Sequence, residues 1–66
     1  MRAIQTVENA IHRSIVCNSI VTLRDDAEVH HALLCACEDY ADGPGGDVVE
    51  YWGTEDGADW RVHVRA

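Results

Sequence analysis

Sixty-six residues, 47% of them apolar, make one small domain over residues 1–66 and exclude global disorder. A chain this short buries only about 60% of the surface its unfolded form exposes, so its core is small. Twelve acids against five bases leave a net charge of −7 with histidine neutral, which disfavours direct binding to a nucleic-acid backbone, because the phosphates would repel it.

In chain order, Ile4, Val7, Ile11 and Ile15 recur at spacings of three and four, which predicts an amphipathic helix. Thr6 is its expected N-cap, with Glu8 in the first turn. "CNS" at 17–19 ends the helix, and Asn18 suits the left-handed conformation of a turn. "SIVTLR", rich in β-branched residues, predicts a strand. "DDAE" opens a second helix with Asp25 as N-cap and Glu28 three residues later. That helix is expected to run to about Asp42, where "GPGG" stops it.

The last twenty residues predict a hairpin. "DVVEYWG" and "DWRVHVR" flank "TEDGA", and Asp56-Gly57 is a strong turn signal. On the final strand Trp60, Val62 and Val64 should face the core, with Arg61, His63 and Arg65 facing water. On the strand before it either Val49 and Tyr51 or Val48 and Trp52 point inward. The expected fold is α+β in the order α-β-α-β-β. Two helices pack on one face of a three-stranded, mostly antiparallel sheet.

"EVHHALLCACEDYADG", from Glu28 to Gly43, offers histidine and cysteine ligands. At ~100° per residue Val29, Leu33, Ala36, Cys37 and Tyr40 share one stripe, with His30, Leu34 and Ala41 flanking it. Glu28, His31, Ala32, Cys35, Glu38, Asp39 and Asp42 share the other. Cys35 and Cys37 therefore cannot grip one metal. His31 with Cys35 and His30 with Cys37 each supply two ligands, where zinc usually needs three or four. The expectation is no metal site and no cofactor. Three cysteines, an odd number, argue against a closed disulfide framework, so free thiols are expected. Acidic neighbours make Cys35 a poor nucleophile. No nucleophile elbow surrounds Ser14 or Ser19, and "GPGG" lacks the residues of a phosphate loop. No enzyme is expected.

No apolar run approaches the ~20 residues of a membrane span, and "MRAIQTVENAIHRS" lacks the apolar core and cleavage site of a secretory signal. A cytoplasmic location is expected.

The charge is segregated along the chain. Between Arg24 and Arg61 there is no Lys or Arg and there are eleven acids. The predicted second helix displays Glu28, Glu38, Asp39 and Asp42, and the hairpin region adds Asp47, Glu50, Glu55, Asp56 and Asp59. Trp52 or Tyr51 among them has the character of an aromatic anchor in a charged rim. Such a surface favours a basic protein partner and would bind it in a salt-sensitive way. Two acidic stripes imitate the phosphate charge of duplex DNA at reduced density.

In its length, its acid block from Asp25 to Asp59 and its helix-plus-hairpin plan ending in "EYWGTEDGADWRVHV", the chain resembles small acidic inhibitors of phages and mobile elements, of the anti-CRISPR type. The resemblance implies a non-enzymatic protein that works in the cytoplasm of a bacterial host cell. It would occupy the basic nucleic-acid groove of a CRISPR surveillance complex and block target-DNA recruitment. The alternatives are a homo-oligomeric accessory or regulatory domain, for instance a homodimer, self-associating through Ala32 and Cys35 or through an open sheet edge, and a small metal-binding module.

Overall fold

The computed structural model describes residues 2–66. Helix α1 spans Arg2–Cys17, strand β1 Val21–Arg24 and helix α2 Ala27–Ala36. Strands β2, β3 and β4 span Asp39–Asp42, Val48–Glu55 and Ala58–Arg65. The class is α+β as expected. The sheet, however, has four strands and is mixed, in the order β1-β4-β3-β2.

Helix α1 buries Ala3, Val7, Ala10, Ile11 and Ser14, a stripe at helical spacing. Two alanines carry part of that stripe and bring the helix close to the sheet, while Ile4 is left exposed. Thr6 lies inside the helix and is not its N-cap. The helix starts earlier because Ala3 already belongs to the core. Asn18 does adopt a positive φ of 50°. The Ser19 N–H donates to Ser14 O and the Asn18 N–H to Ile15 O, which is a Schellman ending with asparagine where glycine is usual.

Strand β1 is shorter than "SIVTLR" suggests and runs parallel to β4, with Val21 opposite Val62 and Leu23 opposite Val64. The N-cap of α2 is Asp26, whose Oδ1 accepts from the Glu28 and Val29 N–H groups at 2.8 and 3.3 Å. Asp25 is not the cap: its N–H donates to Arg65 O and its carboxylate turns to His30.

Helix α2 also stops early. At Cys37 the backbone turns extended, and the Glu38 N–H donates to Trp52 O at 2.9 Å. Residues 39–42 then form the edge strand β2, antiparallel to β3. The expected helical turns lose to a ladder that gives the outer backbone groups of β3 their partners. Across it Tyr40 stacks on Tyr51, with ring centroids 5.7 Å apart. "GPGG" therefore closes a β2–β3 connection and caps no helix. Gly43 N–H donates to Val48 O there.

The final hairpin forms as predicted, with Asp56 and Gly57 both at positive φ, the requirement of a two-residue type I′ turn. Trp60, Val62 and Val64 are buried, and they join Tyr51, Val29, Leu33 and the α1 stripe in one core. Fully burying a side chain such as Leu33 contributes about 1.5–3 kcal/mol. Val49 and Tyr51 point inward, which sends Val48, Glu50 and Trp52 to the opposite face. Gly53 also points inward, because a Cβ there would stand 2.9 Å from the Trp60 ring. Both helices lie on this core side. Among the described residues, no helix covers the other side of the sheet.

Candidate interaction face

The uncovered face is organised in cross-strand rows, because residues opposite one another in a ladder share a face. One row reads Asp39, Trp52, Arg61, and the next reads Ala41, Glu50, His63, Thr22. A third reads Val48, Arg65, Arg24, while Thr54 pairs with Asp59 beyond the first. Trp52 is half-buried in the middle of this pattern. Glu38 reaches in from the α2–β2 link, and its Oε2 accepts the Thr54 hydroxyl at 2.6 Å. A cleft of about 510 Å³ runs past Trp52, bounded by Glu38, Glu50, Thr54, Asp59 and Arg61 and walled by Ser14, Asn18 and Ser19.

His63 lies 14% exposed beside Glu50, its Nε2 3.3 Å from Glu50 Oε1. The two are close enough to pair as ions but out of line for a hydrogen bond, so Nε2 is buried without a hydrogen-bond partner among the described residues.

Of the ten residues expected to form a partner surface, Glu38, Asp39, Glu50, Trp52 and Asp59 meet around this cleft. Glu55 and Asp56 stand at the adjacent hairpin tip, where they border a second groove against α1. Glu28, Asp42 and Asp47 lie toward the opposite end of the sheet. Glu28 is in the first turn of α2, Asp42 is opposite Val49, and Asp47 O accepts the Ala66 N–H. The acidic helix face anticipated for Glu38, Asp39 and Asp42 does not exist, since these residues are past the end of α2. The linear charge segregation does not survive folding either. Arg24, Arg61 and Arg65 lie on the same sheet face as Asp39, Glu50 and Asp59.

A second polar cluster lies on the core side. The buried Tyr51 hydroxyl meets His30 Nδ1, and His30 Nε2 lies 2.7 Å from Asp25 Oδ1. A phenol that donates to Nδ1 leaves the proton on Nε2 for the carboxylate. Burial pushes the Tyr51 phenol above its ordinary range, and the neighbouring Cys37, Tyr40 and Asp25 push it the same way in their ionised forms. Burial likewise raises the Cys37 thiol, opposed by a backbone hydrogen bond and reinforced by Asp39 and Cys35. Both groups are held neutral and unreactive at physiological pH. The chain of hydrogen bonds gives a buried phenol its partner and ties the start of α2 to β3. No local motif marks it, because Tyr51 comes from a distant strand.

The helix stripe is only partly as expected. Val29 and Leu33 are buried, Cys37 is half-buried, but Ala36 and Tyr40 are exposed. Both lie where α2 gives way to β2. Ala32 packs against the core instead of facing out with Cys35, so no small-residue patch forms between them. All three cysteines are free thiols. No described helix is long and apolar enough to cross a membrane. Comparison with protein-family models, curated proteins and solved structures gives no match for the chain.

Proposed function

We propose that the protein is a non-enzymatic, protein-binding inhibitor that uses the open sheet face around Trp52 to engage a basic surface. The observation that carries this reading is the Asp39–Trp52 register, which sets an aromatic ring among Asp39, Glu38, Glu50 and Asp59 on a face without a helix. A central aromatic in a polar rim is the usual composition of an interface hot spot. The carboxylates would pair with lysines and arginines that otherwise hold nucleic acid, and Trp52 would fix the register. Arg61 beside Trp52 calls for a carboxylate within the partner's basic patch, which adds specificity beyond net charge. The resemblance to anti-CRISPR proteins makes a CRISPR surveillance complex the first target to test, with occlusion of target DNA as the mechanism.

The test is target-DNA binding by purified surveillance complexes, read by gel mobility with and without the protein, at low and high salt. Inhibition is expected to fall with Trp52→Ala and with Glu38→Lys plus Asp39→Lys. Glu28→Lys plus Asp42→Lys, toward the other end of the sheet, should leave most of it. Undiminished inhibition in the first two variants overturns the assignment of the face.

A further inference from the structure

The outer side of α2 carries a donor pair that the sheet face does not use. His31 and Cys35 stand one helical turn apart, both exposed, with His31 Nε2 4.0 Å from Cys35 Sγ. Imidazole nitrogen and thiolate sulfur are zinc's preferred donors. A tetrahedral zinc with bonds of about 2.3 Å to sulfur and 2.0–2.1 Å to nitrogen holds them about 3.6 Å apart. Small χ rotations of two solvent-facing side chains close the difference.

Two donors do not complete a structural zinc shell, which takes four. Among the described residues no three His, Cys, Asp or Glu are grouped to hold a metal. A second copy of the chain supplies the missing pair by symmetry. A two-fold axis crossing α2 between His31 and Cys35 would set each histidine of one copy near the cysteine of the other. Leu34, 47% exposed beside Cys35, would be covered by the same crossing.

The geometry points to a zinc-class divalent cation that bridges two copies of this chain through His31 and Cys35 of each. The site lies on the helix side of the sheet, away from Trp52, so its failure would leave the proposed function standing. Binding requires a deprotonated thiol and a neutral imidazole, so it weakens as pH falls.

Zinc chloride titrated into the tag-free chain under a non-thiol reductant should convert monomer to dimer at one zinc per two chains, read by sedimentation velocity. Cobalt in its place should give a thiolate charge-transfer band and tetrahedral visible bands. Cys35→Ser and His31→Gln should each abolish both signals without changing the circular dichroism, and Cys17→Ser should change neither. A chain that stays monomeric in zinc, binds it one to one, or dimerises equally well with Cys35→Ser overturns the proposal.

Discussion

Ser14 Oγ accepts the Arg61 backbone N–H at 2.9 Å, across a sequence separation of 47 residues. The same hydroxyl donates to Ser19 O at 2.7 Å. Strand β1 pairs with β4 only from Val21 opposite Val62 onward, so Ser14 stands in for a ladder partner one residue before that strand begins. Ser14 is 3% exposed, so the bond is largely shielded from water.

Ser14→Ala therefore leaves the Arg61 N–H without its partner in the protein interior. The expected loss is about 1–3 kcal/mol, measured by urea unfolding. Hydrogen exchange at the Arg61 amide should speed up more than at Val64. An unchanged unfolding midpoint would show that another group takes over the bond.

Gly53 and Trp60 make a second close relationship, since a Cβ on Gly53 would meet the indole at 2.9 Å. Gly53→Ala is expected to cost about 1–3 kcal/mol by overpacking. In Trp60→Phe, with a smaller ring, the same glycine substitution should cost less. Thermal melts of the four combinations measure that coupling, and strictly additive losses would disprove the steric origin.

The two aspartates before α2 should separate by experiment. Asp26→Ala removes the N-cap and is expected to cost about 0.5–2 kcal/mol. Asp25→Ala removes an exposed contact to His30 and should cost less in the same denaturant titration. The reverse order would reassign the cap.

Alkaline stability follows from Tyr51. Its phenol is raised above the ordinary 10.0 by burial, so the folded state favours the protonated form. Its contribution is fully present below pH 10 and is lost as pH rises through the higher folded value. Cys37, raised from 9.0 mainly by burial, acts with the same sign. Tyr51→Phe should flatten the alkaline fall in stability, whatever it costs at neutral pH. In Tyr40→Phe the tyrosinate absorbance of the remaining Tyr51 ring should rise late, together with unfolding.

Features whose physics is local can be read directly from the order of residues. Asn18 and Asp56-Gly57 adopt the positive φ their residue types suggest, and Trp60, Val62 and Val64 alternate into the core as their spacing demands. Val29 and Leu33 are likewise legible as a buried helical stripe. The tertiary structure alone decided the fate of "EDYAD". Its residues fit a continued helix, but β3 offers an unpaired backbone edge and Tyr51 a ring for Tyr40, and that ladder wins. The same choice places Asp39 beside Trp52. Which aromatic of "EYWG" is buried follows from the hairpin, where Gly53 faces inward with Tyr51 and makes room for Trp60. Parallel pairing of β1 with β4, which sets Arg24 beside Arg65 on the open sheet face, joins residues more than forty positions apart. Such pairings depend on which edges and cavities the rest of the chain leaves open, and neither propensity nor periodicity within a segment carries that information.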